Sequence, residues 1–114
     1  MLPNRIKLSK NSTDKFRYLK MSTGLTLNIL ARVAIMLALR DGSNIININP
    51  DTDGQELNKS VLFGDHEHVY EVMIKQFIHK TKDTRTISQV ISSLIETGAH
   101  KMGHVKGLNA LCEL

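Results

Sequence analysis

RIKLSKNSTDKFRYLKMSTGLTLNILARVAIMLALR, residues 5–40, is the stretch of sequence that decides the fold. Its first five residues alternate polar and apolar side chains, the pattern of a short strand with Ile6 and Leu8 on one face. A lone strand has unpaired edges and is unstable, and no second strand is adjacent in the sequence. The pattern therefore predicts that this strand pairs with another copy of the chain.

Two helices joined by a tight turn follow the strand. Ser9 is a good N-cap for a helix that runs to about Ser22, and Gly24 suits the left-handed position just past its end. Thr26 then caps a second helix over residues 27–40. Strand, helix, turn and helix in this order are typical of the ribbon-helix-helix fold, in which two chains pair their strands into an antiparallel ribbon.

The second helix is apolar nearly all round. A helix of this kind is buried on nearly every side, and a chain of 114 residues can rarely supply that much cover. We therefore expect a homo-oligomer, either a dimer or a dimer of dimers. The residues expected at its interface are Leu27, Leu30, Val33, Ala34 and Leu37.

The rest of the chain is predicted to be a helical extension. A third helix should start near Asp65, run through Val69, Val72, Met73 and Phe77, and end at about Lys80. In a fourth helix Thr86 and Gln89 have the spacing of a capping box, and Gly98 supplies the stop. The tail holds a further turn at 108–111. The expected fold is mainly α: a short N-terminal strand, then four helices, in one domain over 1–114 with a ribbon-helix-helix-like unit at 1–41 and the extension at 42–114.

Charge is distributed unevenly along the chain. Residues 1–40 hold eight basic residues and one acid, a balance of +7, whereas residues 41–114 hold seven basic and ten acidic residues, a balance of −3. A segregated basic segment is typical of proteins that bind a polyanion such as nucleic acid. The candidates for contact with DNA phosphates are Arg5, Lys7, Lys10, Lys15, Arg17 and Lys20. For each of them the alternative is an ordinary solvated charge.

Arg32 is a separate case because it interrupts the apolar second helix. It could contact DNA, pair with an acid such as Asp41, or bind the carbonyl groups at the end of a helix. The sequence leaves these roles open.

Several kinds of chemistry are not expected. The chain has no P-loop and no GxGxxG fingerprint, and its single cysteine, Cys112, can form no internal disulfide and hold no iron–sulfur cluster. His66 and His68 are two residues apart and so point to different sides of a helix, which argues against a metal site. The acids Asp51, Asp53 and Glu56 lie in a turn-rich loop where solvation or helix capping is the default. We expect no catalytic residue, metal or cofactor.

The N-terminus lacks the apolar run of a signal peptide, and no stretch approaches the roughly 20 apolar residues that cross a bilayer. A cytoplasmic protein with no membrane association is expected.

A family resemblance is carried by specific segments along nearly the whole chain. These segments are LPNRIKLSK at 2–10, Leu19-Lys20, TGLT at 23–26, NILAR at 28–32, ALRDGS at 38–43, Gly98-Ala99-His100 and GLNAL at 107–111. They resemble the DndE family, the small proteins of the bacterial DNA phosphorothioation system. The resemblance implies participation in replacing a non-bridging phosphate oxygen of DNA with sulfur, alongside a cysteine desulfurase, an ATP-using sulfur transferase and an ATPase.

The function expected from these observations is that of a non-enzymatic subunit that binds duplex DNA, intact or nicked, mainly through its phosphate backbone. One alternative is a ribbon-helix-helix regulator or antitoxin that reads base edges with Arg5, Lys7 and Ser9. Its drawback is length, because such regulators need few residues beyond the second helix. A further alternative is a scaffold subunit whose basic face contacts an acidic protein.

Overall fold

The structure is a computed structural model of the chain, and it describes residues 2–103 and 107–113. The predicted domain limits at residues 1 and 114 lie outside these ranges. Mainly α structure is confirmed. In chain order the elements are β1 (Arg5–Lys7), α1 (Lys10–Thr23), α2 (Leu27–Arg40), β2 (Glu56–Asn58), α3 (Lys59–Phe63), a 3-10 turn (Gly64–His66), α4 (Glu67–Thr81), α5 (Ile87–Lys101) and α6 (Leu108–Cys112).

The local predictions for residues 9–40 are confirmed. The Ser9 hydroxyl caps α1 by accepting a hydrogen bond from the Ser12 amide at 2.9 Å. Gly24 ends α1 in the left-handed region with φ 77°, a conformation that costs glycine little because it has no Cβ. Thr26 caps α2, and the chain bends by 109° between the two helices. None of the helices in the described ranges is by itself long and apolar enough to span a membrane.

The pairing partner of β1 differs from the prediction. β1 forms an antiparallel pair with β2 of the same chain, with Ile6 opposite Leu57. Ile6 and Leu57 are both buried, so the two strands share one apolar face. On β1, the Lys7 carbonyl accepts a hydrogen bond from the Ser92 hydroxyl of α5 at 3.2 Å. The prediction that β1 pairs with the same strand of a second copy is therefore wrong. Residues 56–58 of the same chain supply the partner strand, which the sequence pattern did not reveal.

The cover of α2 also differs from the prediction. Leu30 and Ala34 are fully buried and Leu37 is nearly so, whereas Leu27 and Val33 are half-buried. Most of the cover comes from α5, with further contacts from α1, α3 and α4. One chain therefore buries the side of α2 that holds Leu30, Ala34 and Leu37 without a second copy, whereas Ile29 and Met36 on the same helix are exposed.

The helix predicted from Asp65 to about Lys80 corresponds to the end of the 3-10 turn and to α4, and the short helix α3 precedes it. Asn58 caps α3 by accepting a hydrogen bond from the Ser60 amide at 2.9 Å, so helical structure begins six residues earlier than predicted. Gly64 interrupts it with φ 54°. On α4 the buried side chains are Tyr70, Ile74 and Phe77, while Val69 and Val72 are exposed. Of the apolar residues that the prediction named, Phe77 is therefore buried and Met73 half-buried, whereas Val69 and Val72 are not.

Arg32 binds carbonyl groups at the end of a helix, one of its three predicted roles. Its Nε donates to the Leu62 carbonyl at 2.7 Å and an Nη donates to the Val61 carbonyl at 3.2 Å. Both carbonyls belong to α3, whose last four carbonyls have no partner within the helix. Arg32 therefore joins α2 to α3.

Gly98 has a different role from the one predicted. The capping box of Thr86 and Gln89 at the start of α5 is confirmed, but α5 continues past Gly98 to Lys101. A Cβ at Gly98 would collide with the carbonyl group of Ala34. Gly98 is therefore not a helix stop but the point at which α5 lies closest to α2.

A buried ion pair fastens the loop between α2 and β2 to α5. Arg85 pairs with Asp83 at 2.8 Å, and the Asp83 side chain is only 3% exposed. The same guanidinium donates to the Ile45 carbonyl at 2.9 Å and to the Ile48 carbonyl at 2.7 Å. The hydrogen bonds from Arg85 hold the pKa of the Asp83 carboxyl below its ordinary value. This pair therefore fixes the loop whose Asp51 contacts the N-terminus of α1.

The first testable prediction concerns Gly98. Replacing glycine by alanine inside a helix normally favours the helix by about 1 kcal/mol. We expect Gly98→Ala to destabilise the protein by about 2 kcal/mol or more, because α2 and α5 must move apart. Urea denaturation measures this change. Gly107→Ala is the control, since no described atom lies within 4 Å of its added Cβ; equal stability of the two variants would contradict the close-packing role.

The second testable prediction concerns Asp83. We expect Asp83→Asn to reduce the free energy of unfolding by on the order of 2 to 3 kcal/mol at pH 7, because it leaves Arg85 without its carboxylate. Since the pKa of folded Asp83 lies below the ordinary 3.8, its contribution is complete above that value and is lost as the pH falls through the folded pKa. The variant should therefore lose less stability than the parent between pH 5 and pH 2.

The matched control for this variant is Glu56→Gln, which breaks the exposed ion pair with Arg5 (3.0 Å). Exposed pairs contribute roughly 0 to 1 kcal/mol. Chemical denaturation over a pH series compares the two variants, and an Asp83→Asn protein that is as stable as Glu56→Gln at pH 7 would refute the anchoring role.

Candidate nucleic-acid interface

The exposed side of α1 carries two of the predicted cations together. Lys10 and Arg17 lie seven residues, about two helical turns, apart and so share one side of the helix. Both line a shallow hollow of about 280 Å³ together with Asp14 and Asp53. This hollow brings two of the predicted cations of α1 together, and it includes two acids that partly offset their charge.

The N-terminus of α1 is held by the loop that precedes β2. The Asp51 carboxylate accepts hydrogen bonds from the Lys10 amide at 3.0 Å and the Asp53 amide at 3.1 Å. These hydrogen bonds keep the pKa of the Asp51 carboxyl below its ordinary value, and the one from the Lys10 amide contributes most. A Cβ at Gly54 would collide with Thr13 and with the Ser9 carbonyl. The capping role that the sequence allowed for Asp51 is confirmed, and the loop lies directly beside Lys10.

Arg5 and Lys7 point outward from β1, while Ile6 between them is buried. Arg5 forms an ion pair with Glu56 on the neighbouring strand. Within the described residues, no ion pair engages Lys7, Lys10 or Arg17. The charge of Arg5 is therefore partly neutralised by an acid that is distant in sequence, whereas Lys7 presents its charge to solvent.

Lys15 lies on a different side of α1 from Lys10 and Arg17. It lines a hollow of about 420 Å³ between α1 and α5, together with Glu96, His100 and Lys101. Lys101 pairs with Asp41 at 3.1 Å. Hydrogen bonds from Arg40, and next from Lys101, lower the pKa of that carboxyl. The structure therefore separates Lys15 from the Lys10 and Arg17 surface.

Lys20, the last of the six candidates, is exposed in the final turn of α1. The sequence reasoning missed His100 and Lys101, which are brought beside Lys15 by the packing of α5. A count of charge by segment could not find them, because residues 41–114 are net acidic.

No cluster of possible metal ligands accompanies these cations in the described part of the chain. His66 and His68 are both exposed, and residues 2–103 and 107–113 contain no group of three or more potential metal ligands. Cys112 is exposed and free in α6.

The fold is similar to that of solved protein structures. The crystal structure of DndE from Escherichia coli B7A involved in DNA phosphorothioation modification is similar to the chain, with 26% identity and a TM-score of 0.76, over 90% of this chain and 98% of that one. A crystal structure of a glycine-to-lysine double mutant of DndE involved in DNA phosphorothioation, 24% identical, shares the fold with a TM-score of 0.74, over 90% and 99% of the two chains. No curated protein matches the sequence.

The family model described as DNA sulphur modification protein DndE matches residues 5–110. This range takes in every element from β1 to α5 and most of α6. The chain belongs to the DndE family of DNA sulphur modification proteins.

Proposed function

We propose that this chain is the non-enzymatic DNA-binding subunit of the DNA phosphorothioation machinery and that it binds duplex DNA, intact or nicked, through the phosphate backbone. Family membership supports the role in DNA sulphur modification. The observation that carries the DNA-binding proposal is the exposed pair Lys10 and Arg17, whose charges face solvent on one side of α1. Lys7 and Lys20 are exposed as well, and Arg5 and Lys15 are weaker candidates.

Lysine and arginine side chains on a convex helix suit backbone binding. They neutralise phosphates without a donor and acceptor pattern that distinguishes base pairs. In a ribbon-helix-helix regulator the strand pair that enters the major groove is formed by two chains. Because β1 pairs with β2 and contacts Ser92 of α5, the structure favours backbone binding over the regulator.

The sulfur chemistry in this proposal belongs to partner proteins. A sulfur transferase and an ATPase of the same system are the proposed partners, and this subunit presents DNA to them. The chain has no motif for binding ATP, and the described residues form no ligand cluster for a metal.

A third testable prediction concerns the salt dependence of DNA binding. If the protein neutralises roughly six phosphates, log affinity should change with log salt with a slope of about −5. We expect the double variant Lys10→Ala and Arg17→Ala to reduce the magnitude of this slope by about 2 per chain bound. It should also weaken binding to all DNA sequences alike. Fluorescence anisotropy of labelled duplexes between about 50 and 200 mM salt measures both effects.

The matched control is Lys75→Ala with Lys82→Gly, which removes two charges from the region of α4. Lys82 has φ 57°, so glycine suits its backbone. The control should keep the parent slope. The backbone model for this surface is wrong if the Lys10 and Arg17 variant also keeps the parent slope. It is equally wrong if that variant loses affinity for one DNA sequence while it still binds others.

We also propose that the chain forms a homo-oligomer, on a surface other than the predicted side of α2. Met21 is 89% exposed near the end of α1, and Tyr18 lies one turn before it and is also exposed. Leu27, one of the predicted interface residues, is half-buried just beyond the turn that follows. Exposed apolar side chains close together favour a contact with another protein surface.

A fourth testable prediction concerns this oligomer. We expect multi-angle light scattering to give a mass that is a multiple of 12.8 kDa, and Met21→Glu to shift it towards the single chain, because the charge would lose its hydration in the contact. Val72→Glu on the exposed side of α4 is the control and should leave the mass unchanged. A single-chain mass for the parent protein at micromolar concentration would refute the proposal.

A further inference from the structure

An apolar groove lies between α2 and α4, away from the cations of α1. One part has a volume of about 400 Å³ and is lined by Met36, Leu39, Met73 and Phe77. The other part, of about 260 Å³, is lined by Ile29, Val33 and Tyr70. Met36 and Arg40 line both parts, and the two neighbouring parts are together called the α2–α4 groove.

The groove is built by fixed contacts on both of its sides. On one side α2 is packed against α5 and is joined to α3 by Arg32. On the other side the ring of Tyr70 lies 5.1 Å from that of Phe63, which secures the start of α4 on the core. The space between them is thus a feature of the packed core and persists in the folded chain.

The floor of the groove is suited to a protein side chain. Met36 is 41% exposed there, although it is a large apolar residue. Methionine is flexible and polarisable, and it adapts to the shape of an apolar partner. The groove follows α2 from Ile29 to Arg40, a length of about 16 Å at the rise of an α-helix. This length fits about three turns of a helix that lays its apolar face into the groove.

The charges around the groove indicate which helix it fits. Arg32, Arg40 and Lys80 line it, and no acidic residue in the described ranges does so. Arg40 is paired with Asp41, and the remaining positive charge along the groove comes from Arg32 and Lys80. The surroundings of the groove are therefore net positive, and they favour acidic side chains beside the apolar face of the ligand.

A second copy of the chain fits this groove less well. A two-fold contact places the same surface of both copies together. The positive surface around Arg32 and Lys80 of one copy would then meet the same positive surface of the other, which disfavours the contact. A DNA strand would also leave the apolar floor without a matching surface.

We propose that the α2–α4 groove is a docking site for an amphipathic helix of another protein, with acidic residues flanking its apolar face. The groove is a second binding surface, separate from the proposed DNA surface on α1, and it does not depend on DNA binding. It would let the chain hold a protein partner and DNA at the same time.

The test uses two synthetic peptides of about 15 residues, the length at which an isolated helix becomes marginally stable. Both carry leucine with the spacing of one helical face, and one has glutamate and the other lysine on the flanks. Binding is followed through the methionine methyl NMR signals of Met36 and Met73. We expect the acidic peptide to bind about tenfold more tightly than the basic one, and both methyl signals to shift.

Lys80→Glu should abolish or reverse the preference, a change of about tenfold or 1.4 kcal/mol in relative affinity. Lys80 is exposed, so the variant should remain folded. Lys75→Glu is the matched control: it makes the same change of charge on α4 at a residue that does not line the groove, and it should keep the preference of the parent.

Three results would overturn the inference. They are equal affinity for the two peptides, binding that leaves both methyl signals unshifted, and no binding at the solubility limit of the peptides. A Met36→Glu variant tests the other occupant: if it dissociates an oligomer in light scattering, the groove is a contact between copies. DNA affinity measured on the same variants is a separate readout, so loss of the proposed DNA function would be recognised independently.

Discussion

The close approach of α5 to α2 is the constraint on which the rest of the structure depends. Gly98 lies against the Ala34 carbonyl, where any side chain would collide. Ala31 and Ala38 on α2 and Ala99 on α5 are fully buried as well, so small residues let the two helices pack closely. From this position α5 provides Ser92 to β1 and Ser93 to the loop before β2. The placement of α1 and of its cations follows from this helix pair.

The local structure of residues 9–40 could be predicted because short-range rules decide it. Ser9, Gly24, Thr26 and the Thr86 capping box act through hydrogen bonds within a few residues, and the structure has all of them. The pairing of β1 with β2 could not be predicted, because a strand of three residues with one apolar side chain has no periodicity to detect. Gly98 was misread for a similar reason. A helix stop and a close helix contact both select glycine, and only the neighbouring helix distinguishes them.

The candidate site shows what a count of charges along the chain omits. The N-terminal third is strongly basic in sequence, but folding brings acids from the remainder of the chain to it. Glu56 pairs with Arg5, Asp51 caps the first turn of α1, and Glu96 accepts a hydrogen bond from Ser12 at 3.1 Å. The field at the surface is consequently weaker and more local than the sequence indicates. The sequence was enough to identify Lys10 and Arg17 as candidates. The acids that folding brings near them could be identified only from the structure.

The pairing of β1 with β2 has a consequence for the order in which the chain acquires its structure. Arg5 and Asn58 face each other across the strand pair, so the first strand has no partner until a segment more than fifty residues later has been made. Contacts between distant residues slow folding, because a long loop must close before they form. During synthesis, which runs from the N-terminus, α1 and α2 can form early while β1 stays unpaired. We expect β1 to be among the last elements to reach its final position.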